Sequence, residues 1–258
     1  MGILDKIIET KKEEVAQLKK EVTQAQLQKK IAGLEPCRDF GKALRSTSCN
    51  IIAEVKCASP SRGSLIADFD PVGIAGIYEK NYAAAISVLT DEKYFSGHKS
   101  YLMQIRRKVK LPLLRKDFII DPIQIYETRA IGADAILLIV RALGKKLSDF
   151  ILLSVELGLS PLVEVHTQEE LDLALDAGAE FIGINNRNLD TFVTDIETSR
   201  RLKTRIPENK IVVAESGIRE RKDIESLMQV GINAFLIGEH LITAPAIGGK
   251  LRAFRGES

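Results

Sequence analysis

The chain has 258 residues, a formal net charge of +2, and apolar and charged shares of 45% and 28%. These are the values of a soluble globular chain that can bury a core without a disulfide or metal staple. They exclude a globally basic surface of the kind that grips nucleic acid or an anionic membrane, so any anionic ligand must be held by local groups.

The cysteines, Cys37, Cys49 and Cys57, are odd in number and fit no zinc spacing. They read as free thiols in a reducing compartment. No apolar run approaches the roughly 18 residues of a membrane span. The opening Met1-Gly2-Ile3-Leu4-Asp5-Lys6 lacks the apolar stretch of a secretory leader. The expectation is a cytoplasmic protein with neither a nucleic-acid nor a membrane partner.

Residues 3 to about 33 carry Leu4, Ile8, Val15, Leu18 and Val22 at three-to-four spacing, with Lys and Glu between them. Gly33 and Pro36 punctuate the end. This predicts an amphipathic helix, broken near Thr23 and laid on the main body. Lys11 falls on the stripe and speaks against a coiled-coil partner.

From Asn50 short apolar runs alternate with helical stretches. The runs are Ile51–Lys56, Ala84–Leu89, Leu111–Arg115, Ala135–Val140, Pro161–Val165, Phe181–Ile184, Ile211–Ala214 and Ala234–Ile237. Several helices end in Gly just before the next run (Gly132, Gly178, Gly231), as a helix C-terminus favours. Runs without polar alternation predict parallel strands buried on both faces. Eight strand–helix units fit a closed (βα)8 barrel, and the Gly-rich loop that an open dinucleotide-binding sheet needs after its first strand is absent. The predicted organisation is a single barrel domain over 1–258, with 1–48 as a helical extension packed on a barrel of 49–258.

In the first run Glu54 and Lys56 are two residues apart, so they share one face of a strand. A structural ion pair and a working site both fit that stretch taken alone. Other runs also lead into polar residues: Asp91-Glu92-Lys93, Lys116-Asp117, Glu164, Asn185-Asn186-Arg187, Glu215-Ser216-Gly217 and Gly238-Glu239. In a barrel the strand ends converge on one mouth, where catalysis sits. Ser216-Gly217 and Gly238 are placed where backbone N–H groups and a following short helix would receive a phosphate. Tight turns alone would also use such glycines.

Six ordered motifs carry a resemblance: Glu-Val-Lys-Cys-Ala-Ser-Pro-Ser (54–61), Leu-Thr-Asp-Glu-Lys-Tyr-Phe-Ser-Gly (89–97), Leu-Leu-Arg-Lys-Asp-Phe-Ile-Ile (113–120), Val-Glu-Val-His (163–166), Gly-Ile-Asn-Asn-Arg-Asn-Leu (183–189) and Ala-Glu-Ser-Gly-Ile (214–218). Together they closely resemble indole-3-glycerol phosphate synthase of tryptophan biosynthesis, across essentially the whole chain. The resemblance implies a (βα)8 barrel and a carboxy-lyase activity. Its substrate would be 1-(2-carboxyphenylamino)-1-deoxyribulose 5-phosphate, which closes to indole-3-glycerol phosphate with loss of CO2 and water. Neither a cofactor nor a metal is expected, and the chain would act as a monomer or weak homodimer.

Carried over, Lys116 resembles the general acid on the substrate carbonyl, and Glu164 the catalytic carboxylate of the dehydration. Lys56 resembles the lysine beside the carboxylate that is lost. Glu54, Asn185 and Ser216 resemble supporting polar residues, and Phe95, Phe118 and Leu137 the apolar wall around the anthranilate ring. Ser59, Arg187 and Leu189 align with substrate-side positions; Ser216, Gly217, Gly238 and Glu239 align with the phosphate site. Glu239 stands where some members have Ser or Thr. A carboxylate aimed at a phosphate would repel it, so the expectation is a contact through the backbone N–H with the side chain turned to solvent. Another phosphate-binding barrel, such as phosphoribosylanthranilate isomerase, would use a carboxylate and a thiol, and its motifs are absent. A catalytically silent barrel acting as a scaffold would have no use for both Lys116 and Glu164.

Overall fold

A computed structural model describes residues 2–60, 62–188, 191 and 193–257. Eight parallel strands close into a barrel in which sequence neighbours are also hydrogen-bonded neighbours: β1 (Asn50–Val55), β2 (Ala85–Leu89), β3 (Leu113–Lys116), β4 (Ala135–Ile139), β5 (Ser160–Val165), β6 (Phe181–Asn185), β7 (Ile211–Glu215) and β8 (Ala234–Ile237). β8 returns to pair with β1, with Ile51 opposite Phe235. The (βα)8 reading therefore holds, and the expected strand ends lie within a residue or two of those seen.

Period-two alternation divides each strand between two cores. Ile52, Leu114, Leu137, Leu162, Val213 and Leu236 fill the barrel interior. Their neighbours Ile51, Leu113, Ile136, Val163, Val212 and Phe235 pack outward against the helices. Both sets are buried, which is why the runs show no polar alternation. The inward parity of six of the eight strands, followed to the C-terminal end, reaches Glu54 and Lys56, Lys116, Glu164, Asn185, Glu215 and Gly238.

The chain before β1 closes the barrel at both ends. Helix α1 (Ile3–Glu21) ends at Val22, whose extended backbone (φ −144°) leads into Thr23. Thr23 caps α2 (Gln24–Ile31) reciprocally: its hydroxyl accepts from the Gln26 N–H at 3.2 Å, and the Gln26 side chain accepts from the Thr23 N–H at 2.8 Å. The break predicted near Thr23 is this capping box. Short helix α3 (Phe40–Ala43) plugs the bottom, where the fully buried Phe40 ring meets Phe181 with centroids 5.8 Å apart.

The buried face of α1 is Leu4, Ile7, Lys11 and Val15, so Ile7 replaces the expected Ile8. Ile3, Leu4 and Ile7 cover the barrel mouth and line its cavity. Lys11 is 2% exposed. Its ammonium lies 2.9 Å from Asp91 and 2.8 Å from Asp117, at the ends of β2 and β3. Asp117 also accepts from Thr90 at 2.6 Å and pairs with Arg115 at 3.1 Å. Arg115 in turn meets Glu127 at 2.9 Å. An interrupted stripe is thus a buried polar lock. Burial raises the Asp117 pKa, but Arg115 and Lys11 outweigh it and hold the carboxyl at about 2.

Replacing Lys11 with Met removes the buried cation from Asp91 and leaves Asp117 with Arg115 alone. Urea unfolding at pH 7 is expected to show a loss of about 3–5 kcal/mol. The deficit should shrink as pH falls from 3.8 toward 2, because protonating Asp117 removes the share of its stabilisation that Lys11 supplies in the wild type.

Candidate active site

The mouth of the barrel opens into a cavity of about 460 Å³. Its floor is built by strand parity. Lys116, the last residue of β3, places its Nζ 2.9 Å from Glu215 Oε2 and 3.3 Å from Glu164 Oε2. Across the floor Lys56 Nζ stands 3.6 Å from Glu54 Oε1. Glu54, Glu164 and Glu215 are each at most 4% exposed, so three buried carboxylates face two ammonium groups.

Two glycines make room for this crowd. A Cβ at Gly183 would collide with Glu215 Oε1, and one at Gly238 would collide with Glu54 Oε1. The small residue at Gly238 therefore serves the carboxylate cluster as well as the mouth. Gly217 needs its glycine for another reason: its φ is +80°, and Ser216 before it is also left-handed at φ +64°. That unusual turn carries Ser216 and Gly217 to the cavity wall.

The excess of carboxylates sets the protonation pattern. Burial alone would lower the Lys116 pKa, but Glu215, Glu164 and Glu54 overcome it and raise it. Burial raises Glu164, and Lys116, His166 and Asn185 overcome it, leaving this carboxyl below its ordinary value. Glu215 shows the opposite balance. Burial, together with Glu164 and Glu54, outweighs Lys116 and pushes it up to about 7. The cluster thus combines an ammonium, a carboxylate held ionised and a carboxyl that keeps its proton to higher pH than an ordinary glutamate.

An apolar wall stands beside the charges. Phe95 and Phe118 lie 6.1 Å apart between ring centroids, and Leu137 comes up from the barrel interior. Lys56 Nζ sits 5.9 Å from the Phe95 ring centroid, so the ammonium and the flat apolar surface are adjacent. Asn185 turns its Oδ1 to the Arg187 N–H at 3.1 Å, which fixes the start of the following loop.

On the opposite side Ser216, Gly217, Gly238 and Glu239 line the same cavity, with Arg62 and Arg187. Glu239 does not turn to solvent. Its side chain is 13% exposed, 3.1 Å from Arg62 Nε and 3.7 Å from Arg187 Nη2. Two guanidinium groups offset its charge and draw it inward, which the one-sided view of a carboxylate repelling phosphate did not anticipate.

The structure gathers Lys116, Glu164, Lys56, Glu54, Asn185, Phe95, Phe118, Leu137 and Arg187 around this one space. Ser59 is 2% exposed, in a two-stranded ribbon (Ala58–Ser59 with Gly63–Ser64), and does not line the cavity. Leu189 lies outside the described residues. Glu215, seen in the sequence only as a polar strand end, was missed as a site residue. Its parity with Val213, which points inward, is the signal that identifies it.

The (βα)8 barrel is a fold shared by many enzymes. Among solved structures, KGPDC from Streptococcus mutans superposes with a TM-score of 0.64 at 14% identity, covering 81% of this chain and 97% of that one. The thiamine phosphate pyrophosphorylase from Pyrococcus furiosus gives 0.60 at 15%, covering 81% and 95%. These likenesses establish the fold alone. Sequence comparison is more selective. The chain is 51% identical over 255 residues to the indole-3-glycerol phosphate synthase of Alkaliphilus metalliredigens, covering 98% of each. It is 50% identical over 253 residues to that of Legionella pneumophila, covering 97% of each. The family model for indole-3-glycerol phosphate synthase matches residues 4–254, from the helix over the mouth to the end of the last helix. With the fold, the motifs and the whole length in agreement, the chain belongs to the indole-3-glycerol phosphate synthase family.

Proposed function

We propose that the barrel mouth closes the indole ring by proton transfers among Lys116, Glu215 and Glu164, with Lys56 beside the departing carboxylate. The observation that carries this reading is the Lys116 ammonium held between two carboxylates of unequal proton affinity, beside an aromatic wall.

The reaction sets its own proton balance. The ring carbon bearing the carboxylate attacks the ketone, and the ketone oxygen takes one proton. Carbon dioxide then leaves as its bonding electrons return to the cationic ring. Departure of the hydroxyl as water takes a second proton, and one C–H proton is given up to form the indole. Counted from the ionised substrate, each turnover takes up one proton overall.

In this scheme Lys116 gives its proton to the ketone oxygen as negative charge develops there. The same carboxylates that raise its pKa hold it charged and aimed. Glu215 resupplies it, because a carboxyl at about 7 is half protonated at neutral pH and lies 2.9 Å away. Glu164, held ionised, accepts the C–H proton in the dehydration. Lys56 pairs with the substrate carboxylate, and Glu54 orients Lys56. Phe95, Phe118 and Leu137 enclose the anthranilate ring. Ser216, Gly217, Gly238 and Glu239, with Arg187 and Arg62, form the phosphate end, where the guanidinium groups are the cationic partners. Ser59 supports the loop rather than touching substrate.

Turnover followed by the fluorescence of indole-3-glycerol phosphate tests the assignment. Lys116→Met should fold normally and lose about 10²–10⁴-fold in kcat, the usual value of a positioned acid. Near wild-type kcat in a folded Lys116→Met protein would refute it.

Glu215 gives a second expectation. Its folded pKa of about 7 lies above the ordinary 4.5, so the folded state binds the proton more tightly than the unfolded one. That contribution to stability is complete below 4.5 and is lost as pH rises through 7. Unfolding free energies measured from pH 5 to 8 should fall with pH in the wild type and fall less steeply in Glu215→Gln. Parallel slopes would contradict the raised pKa.

A further inference from the structure

Glu164 divides its two oxygens between two partners. Oε2 faces Lys116, while Oε1 lies 3.5 Å from His166 Nε2. His166 is the second residue after Glu164 and keeps the same parity, just past the inner end of β5. Its imidazole side chain is only 11% exposed. The other ring nitrogen, Nδ1, is 3.1 Å from Glu170 Oε2, and the same oxygen accepts the His166 backbone N–H at 2.7 Å. Glu170 lies in the first turn of helix Gln168–Asp176, so the helix start grips both the backbone and the ring of His166. With Nδ1 engaged this way, Nε2 is buried, lacks a hydrogen-bond partner of its own, and faces Glu164.

We propose that His166, gripped by Glu170, is a positioning residue for the ring closure: it acts through Glu164, orienting that carboxylate and offsetting its charge. The inference rests on the role given to Glu164 above. His166 does not line the substrate cavity, so it works behind the reacting groups. Carboxylate, imidazole and carboxylate stand in a row. A ring with protons on both nitrogens would donate to Glu170 on one side and Glu164 on the other. Burial would discharge the imidazole, but Glu170, Glu164 and Glu215 outweigh it and favour the protonated ring. That positive charge, with Lys116 and Asn185, keeps the buried Glu164 ionised and ready to accept a proton.

The groups facing this row come from every neighbouring element. β6 contributes Asn185, and Glu215 acts from β7. Behind the ring is a second cavity of about 440 Å³, lined by His166 and Glu170 and also by Arg141, Asp195 and Arg201. Asn185 lines both cavities, so the second space approaches the site from the rear. A free imidazole molecule is small enough to enter a space of that size.

A helix-capping role for Glu170 alone would give His166 no kinetic signature, and the experiment separates the two. His166→Ala, Glu170→Gln and Glu164→Gln are assayed with the wild type across pH 5–9, with thermal unfolding as a control. His166→Ala is expected to lose about tenfold or more in kcat with little change in KM, since the lost group supports a proton acceptor rather than substrate contacts. The acid limb of its kcat profile moves to higher pH, because Glu164 loses a stabilising charge. Added imidazole restores part of kcat, and Glu170→Gln moves the limb in the same direction. An inactive Glu164→Gln beside a His166→Ala with unchanged limb and no imidazole response overturns this inference alone. A fully active Glu164→Gln overturns the role of Glu164 and this inference with it. If His166→Ala unfolds, Glu170→Gln decides: an unmoved acid limb there overturns the proposal.

Discussion

Three buried carboxylates and two ammonium groups share the mouth of one barrel. The rest of the site follows from that imbalance. Buried charges persist only when they are paired, and an odd carboxylate leaves one oxygen pair without a full counter-charge. The cluster resolves this by keeping a proton on Glu215 up to about pH 7. It does so without giving up the Lys116 charge, which the same carboxylates stabilise. Glycine at 183 and at 238 is the steric condition, since any side chain there would displace a carboxylate. Stability is surrendered locally so that a proton donor and a proton acceptor can coexist a few ångströms apart.

The same logic reaches the chain terminus through one peptide bond. Lys116 faces inward and Asp117 begins the loop beyond it, where Lys11 of the covering helix meets it. The lock that holds α1 on the mouth and the ammonium proposed as the proton donor are therefore adjacent residues of one strand end. α1 also lays Ile3, Leu4 and Ile7 over the cavity. Excluding water there strengthens every charge interaction beneath. The N-terminal helix contributes to the electrostatics of the floor without placing a charged atom on it.

Much of the fold was readable because periodicity reports it directly. Runs buried on both faces, with glycine at helix ends, imply the barrel, and strand parity aims Glu54, Lys56, Lys116 and Glu164 at one place. What parity cannot give is the partner. It places Glu215 inside, yet only the closed barrel shows that Glu215 reaches Lys116 across four strands, from β7 to β3. Lys11 looked like a flaw in an apolar stripe because its two aspartates lie 80 and more residues away. Glu239 was judged against phosphate alone, and Arg62 and Arg187, which reverse its direction, come from distant loops. Ser59, beside a site motif, is paired with Gly63 in a short ribbon, a placement that strand periodicity does not give.

In the proposed reading, the surroundings of Glu239 show how a phosphate end can include a carboxylate. Arg62 and Arg187 bring two positive charges to a pocket wall, and Glu239 offsets one of them. Among the described residues, Arg187 Nε is buried without a hydrogen-bond partner, and so is Glu239 Oε2, so the three groups satisfy one another incompletely. A phosphate bound there as proposed would offer strong acceptors to both guanidinium groups, and the carboxylate would balance what would otherwise be an excess of positive charge. With a cation pair alone, phosphate would be held tightly in substrate and product alike, and binding both equally well slows release without helping the chemistry. A shared carboxylate moderates that grip. The charge compensation that sets Glu215 on the floor of the mouth thus recurs at its rim, with guanidinium in place of ammonium.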